Sequence, residues 1–241
     1  MVIEKINTQL VGLPPNWLSR AISRGGAMVR ANEIKKLLGE PIPQVLDEDQ
    51  LPKELKKFFA PGGLLDRLRK KLSIFSRKKG GKILPAKGTI ASVDEDDNVY
   101  VGVDFLEQFG DDEELVGGII AHEWGHMMSD LPKEVDWSHL NWDQLHAMRR
   151  DEEGDADAFA GRVMFLMGIS VEPMVSFLDR IDKKKKEQKI PCHKYHNFAT
   201  RAAILREAYE AEKRAMETAK KLFLQSKDKT GPKVGRVLGQ G

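Results

Sequence analysis

From residue 53 onward the apolar positions follow two rhythms, one helical and one of period two. Lys53 to Phe59 reads as a short helix, stopped by Pro61-Gly62-Gly63. From Leu64 to Lys79, Leu65, Leu68, Leu72 and Phe75 recur at helical spacing among Arg67, Arg69, Lys70, Lys71, Arg77, Lys78 and Lys79, which predicts a basic amphipathic helix. After Gly80-Gly81 the rhythm shortens. Ile83 to Ala86, Thr89 to Val93 and Val99 to Val103 read as strands, with Asp94 to Asn98 turning between the last two. Asp104 to Phe109 reads as a short helix. Leu115 to Met128 reads as another: Leu115, Ile119, His122 and His126 share one face at about 3.6 residues per turn. Asp111 with Glu114 three residues later has the form of a capping box, and Pro132 marks the end.

Three further helices are expected. One runs from Trp142 to Met167 with Gly168 beyond its end, one from a Ser170 cap through Pro173 to about Ile181, and one from Asn197 to about Leu224. Lys183 to Lys186 reads as a charged loop. Ahead of residue 53, Pro14-Pro15 ends a leader, Asn16 can cap a helix to about Leu38 weakened at Gly25-Gly26, and Pro41 to Asp49 reads as a linker. The fold class predicted is α+β, mostly helical with a small β-sheet beside the His122 helix. The chain divides into a basic helical region at 1–80, a main domain at 81–224 and a disordered Gly/Lys-rich tail at 225–241.

Composition narrows the picture. Of 241 residues, 41% are hydrophobic and 32% charged, enough for a packed core under much exposed helical surface. A single cysteine, Cys192, excludes an internal disulfide and fits a reducing compartment. Residues 1–24 lack the apolar run of a signal peptide, and no stretch reaches the roughly 20 apolar residues of a membrane span, so the expected location is the cytoplasm. The net charge of +2 conceals a division. Leu51 to Lys82 holds eleven Lys/Arg against Glu54 and Asp66, and Ile83 to Asp157 holds twenty Asp/Glu against four Lys/Arg. The basic 64–79 helix packs its leucines on the domain in the plainest reading, and can alternatively make a peripheral contact with an anionic membrane. Nucleic acid is not an expected partner, since no aromatic interleaving accompanies the basic residues.

The chemistry concentrates in His122-Glu123-Trp124-Gly125-His126, an H-E-x-x-H stretch. Two imidazoles one turn apart can bind one Zn²⁺, and Glu123 beside the first can reach a metal-activated water. A catalytic zinc needs a third protein ligand. The cluster Asp151 to Ala160 offers one: Glu153 and Asp157 share a helical face, so the glutamate can ligate while the aspartate accepts the free N–H of a ligating histidine. Glu152 is the competing ligand, but the residue four positions on is Ala156, which offers no such partner. Gly154, Ala156, Ala158 and Ala160 let this helix approach the first closely.

These residues resemble the M48 peptidases, the gluzincin group with Ste24-, HtpX- and Oma1-like members. The resemblance spans about Val99 to Glu207: the strand at Asn98 to Val101, Ile120 to His126, the E-x-x-A-D pattern of Glu153 to Asp157, and the turn and helix from Gly168 to Leu178. It implies a zincin-like fold, His122, His126 and Glu153 as zinc ligands, Glu123 as general base, and Asp157 behind a histidine. In His193-Lys194-Tyr195-His196-Asn197-Phe198-Ala199-Thr200-Arg201 the family's proline is absent. His196, Tyr195 or His193 is left to stabilise an oxyanion, and Arg201 to serve as its arginine. The expected function is zinc-dependent hydrolysis of peptide bonds in a protein or peptide substrate, in a minimal form without spanning helices. Two alternatives share the residues: an ImmA/IrrE-like regulatory protease, whose E-x-x-A-x-x-F-A pattern Glu153 to Ala160 also satisfies, and a non-catalytic zinc-containing interaction module. The basic N-terminal region has the charge of a lid or prosegment over an acidic domain. Oligomeric state does not follow from the sequence.

Overall fold

The computed structural model describes residues 29–30, 43–94, 96–128, 134–135, 141–189, 193 and 195–229. In chain order the strands are β1 (Val29–Arg30), β2 (Gln44–Val45), β3 (Ile83–Lys87), β4 (Ala91–Val93), β5 (Val99–Gly102) and β6 (Glu134–Val135). The helices are α1 (Lys53–Phe59), α2 (Leu64–Ser76), α3 (Val103–Phe109), α4 (Glu113–Met127), α5 (Trp142–Met167), α6 (Glu172–Glu187) and α7 (Phe198–Lys229). The architecture is mostly helical with a small mixed sheet, as the α+β reading expects.

The sheet order is β2-β3-β5-β4. β3 and β5 run parallel, while β2 and β4 lie antiparallel to their neighbours at the two edges. β4 therefore follows β3 in sequence but stands outside β5 in space, against α4. β1 and β6 form a separate antiparallel pair. Under the sheet and helices runs one apolar cluster. Leu55, Phe58, Leu65, Leu68 and Leu72 join it with Val99 and Val101, Leu115, Ile120 and Trp124, Met164 and Leu205. α1 and α2, though they fall in the basic region, thus share a core with the His122 helix. The leucine face of α2 lies inward, as its spacing predicts.

Several boundaries differ from the sequence reading for local reasons. α4 starts at Glu113, and Asp112 rather than Asp111 caps it, its Oδ1 accepting from Leu115 N at 2.9 Å. Glu114 does not close a box; its Oε1 accepts from Ser170 N at 3.1 Å and ties α4 to the start of α6. α6 continues through the lysine run to Glu187, because Lys183 and Lys186 each find an aspartate one turn back, Asp179 and Asp182, both at 2.6 Å. Ser170 caps from just outside, accepting from Glu172 N at 3.2 Å. The expected linker at 41–49 contains β2, held on β3 by backbone pairing, and a 3-10 turn at Glu48–Gln50. Val29–Arg30 is a strand where a helix was expected; Gly25-Gly26 upstream weakens helix propagation there. The rest of that helix, residues 136–140 and the tail past residue 229 lie outside the described residues. α7 itself persists to Lys229, beyond the expected Leu224.

Candidate metal centre

The site is made where α4 crosses α5. Gly125, between the two histidines, permits the crossing: a Cβ there would stand 2.7 Å from Ala156 Cα and 2.9 Å from its carbonyl oxygen. Trp124, pointing the other way, is fully buried and donates from Nε1 to Ser76 Oγ of α2 at 2.9 Å, which fixes the rotation of α4 about its axis. α5 begins at a capping box made by Asn141 and Gln144 and ends at Gly168, in the left-handed region at φ 74°.

With the helices so placed, His122 and His126 aim Nε2 at one carboxylate. His122 Nε2 is 3.2 Å from Glu153 Oε2, and His126 Nε2 is 3.6 Å from Glu153 Oε1. One donor atom from each of the three residues falls within 4.8 Å of the others. Two donors each ~2.1 Å from one ion at the tetrahedral angle stand roughly 3.4 Å apart. The two histidine–glutamate spacings bracket that value, and two imidazoles with one carboxylate form a borderline donor set. The group fits a divalent metal ion.

Behind the donors stands a second layer of charge. Asp157, wholly buried, has Oδ1 2.9 Å from His122 Nδ1 and is itself gripped by Arg201, whose Nε and Nη2 donate at 2.7 and 2.8 Å. His126 Nδ1 faces Glu152 Oε1 at 3.3 Å. Both ring contacts lie off the N–H direction, so they are electrostatic contacts rather than aligned hydrogen bonds. Arg149, also buried, bridges the two glutamates: Nη1 bonds Glu152 and Nη2 lies 2.6 Å from Glu153 Oε1. Burial opposes the charge on His122, but Asp157 and then Glu153 overcome it and lift its pKa to about 10. Burial likewise opposes ionisation of Glu153, yet Arg149 and both histidines hold it well below the usual carboxylate range. Asp157 is lowered against burial by Arg201 and His122.

The group opens on a cleft of about 510 Å³. Its walls are the 88–93 segment including all of β4, together with Asp104, His122, Glu123, His126, Arg149, Glu153 and Tyr195. Glu123, Tyr195 and the three donors thus meet in one space. Arg201 stands behind, holding Asp157, while its guanidinium also lies 5.1 Å from the centre of the Tyr195 ring. His196 does not line the cleft; its Nε2 is 3.5 Å from where a Gly154 side chain would begin. His193 stacks on His146 with ring centres 5.5 Å apart. Of His193, Tyr195 and His196, Tyr195 is the one that lines the cleft.

Sequence reasoning missed Arg149 and the service Glu152 gives. By sequence Glu152 is only a rival ligand, whereas in the structure it sits behind His126 as Asp157 sits behind His122. Arg149 was legible in principle, since it precedes Glu152 and Glu153 by three and four positions on one helix. No protein-family model, curated protein or solved structure matches this chain.

Proposed function

We propose that the chain is a zinc-dependent endopeptidase of the gluzincin type that its motifs resemble. The observation that carries the reading is the convergence of His122, His126 and Glu153 on one point that opens, beside Glu123, onto a cleft walled by an edge strand. Structural zinc sites close with a fourth protein ligand; here, among the described residues, the group faces a cleft instead, which favours catalysis over a purely structural metal.

Zinc at this position supplies Lewis acidity and brings the pKa of a bound water towards ~7. The protein's own groups do the rest. β4 is the last strand of its sheet, and an extended peptide can add to it as a further strand, bringing a scissile carbonyl past Glu123. The Glu123 carboxylate accepts the proton of the attacking water and returns it to the leaving amine nitrogen. Tyr195, on the cleft wall, is the residue whose hydroxyl this reading assigns to donate to the oxyanion of the tetrahedral intermediate. Asp157 and Glu152 keep the two imidazole rings facing the donor point.

Glu123→Gln tests the assignment. The variant is expected to bind zinc like the parent, since Glu123 is not among the donors, and to lose cleavage of a proteome-derived peptide library by at least about a hundredfold. Undiminished cleavage would remove Glu123 from the chemistry. Zinc-loaded parent protein that cuts no peptide would refute the endopeptidase reading itself.

A further inference from the structure

The C-terminal tip of α2 is unlike the rest of that helix. Its leucines are buried, but Ile74 is 73% exposed and Phe75 37%. Lys70 pairs with Asp66 and Lys78 with Asp97, whereas Lys71, Arg77 and Lys79 are exposed and have no acidic partner among the described residues. The tip is also rigidly built. Arg77 ends the helix in the left-handed region at φ 56°, and the chain folds back so that Ser73 Oγ donates to the Lys79 carbonyl at 3.0 Å. Ser76 receives Trp124 Nε1 at 2.9 Å, and Lys78 Nζ donates to the Met127 carbonyl at 2.6 Å. Two adjacent apolar side chains, close in sequence to three cations with no acidic partner among the described residues, are therefore held on the end of α4, and none of them lines the cleft.

We propose that this tip docks the protein on an anionic lipid bilayer, with Ile74 and Phe75 entering the interface and Lys71, Arg77 and Lys79 meeting lipid phosphates. Charge complementarity selects an anionic surface. Size selects lipid over protein: a stable protein interface needs about 800 Å² from each partner, far more than two apolar side chains supply. A bilayer demands no matching shape, and each cation near it adds its own attraction. An anchor this small binds reversibly, in the manner of other interfacial attachments that need two weak signals together.

The test is co-sedimentation of the full chain with vesicles of phosphatidylcholine alone and with about 30% phosphatidylserine. Binding to the anionic vesicles only, weakened by added salt, is expected. Combined Lys71→Gln, Arg77→Gln and Lys79→Gln is expected to weaken it roughly a hundredfold, at about fivefold per cation. Ile74→Ser with Phe75→Ser should also release the protein while leaving zinc binding at the parental value, which shows the fold intact although loss of the partly buried Phe75 ring lowers the melting temperature. Absence of binding to anionic vesicles, or binding that survives both sets of changes, overturns the proposal. So does equal capture of polyglutamate by the parent and the Ile74/Phe75 variant together with no vesicle binding, which would assign the surface to an acidic protein.

Discussion

Gly125→Ala asks whether the approach of α4 to α5 sets the metal geometry. The new methyl would meet Ala156 Cα at 2.7 Å, its carbonyl oxygen at 2.9 Å and its Cβ at 3.1 Å. Two of these atoms are backbone, so no side-chain rotation relieves the clash. Restoring an ordinary separation of about 3.7 Å requires α5 to retreat by roughly 1 Å. Glu153 lies one turn before Ala156 and retreats with it, against bonds that tolerate about 0.2 Å. Overpacking of this kind costs about 1–3 kcal/mol of stability. Disturbed ligand placement lowers metal affinity by roughly tenfold to a hundredfold. Gly154→Ala is the internal control, since its methyl would meet His196 and Ile204 at 3.5–3.6 Å, ordinary contact. It should keep zinc affinity and gain up to about 1 kcal/mol from helix propensity. The assay is zinc titration against a competing chelator, with thermal unfolding in parallel. Parental affinity and melting temperature in Gly125→Ala would show that the helices can slide apart without moving the donors, and the close-approach argument would be wrong.

Two further predictions concern charge. Arg201→Ala strands the buried Asp157 carboxylate and is expected to cost about 3–5 kcal/mol by chemical denaturation; combining it with Asp157→Asn should cost less than the sum of the single changes. Burial and the carboxylate of Asp94, 2.6 Å from its hydroxyl, raise the Tyr100 pKa to about 12 from an ordinary 10.0. A pKa raised on folding means that the stability this contact adds is complete below pH 10.0 and is lost as pH rises through about 12, so Tyr100→Phe should flatten the alkaline limb of a stability–pH curve over that window. A limb of unchanged slope in the variant would place the alkaline loss elsewhere.

What was legible in the sequence is what one element can state alone. His122 and His126 lie one turn apart on a helix, as do Glu153 and Asp157, and α1 and α5 were delimited by their caps and breakers. What was not legible depends on how elements meet. From the sequence Glu152 is only a rival ligand to Glu153; the crossing of α4 over α5 is what puts it beside His126. Tyr195 could not be told from His193 and His196 because spacing in a loop does not say which side chain faces the cleft; only the folded chain puts Tyr195 on its wall. The lysine run of α6 looked like a loop because like charges repel, and the aspartates that neutralise it sit one turn back rather than beside it.

Counting charge around the donors explains why these two layers belong together. Glu152, Glu153 and Asp157, with Glu123 at the cleft, bring four carboxylates; Arg149 and Arg201 return two positive charges. With both histidines neutral these six groups are short by two positive charges, an excess of negative charge that is costly where it is buried, at Glu153 and Asp157. A single divalent ion held by His122, His126 and Glu153 would cancel it. In its absence the nearest substitute is a proton on His122, which is the sense of that residue's raised pKa. The arginines cannot fill the gap themselves, since each is already committed to a carboxylate behind or beside the donors. They limit the deficit to the charge of one dication, and with Asp157 and Glu152 set behind the rings, the Nε2 face of both histidines is left for it.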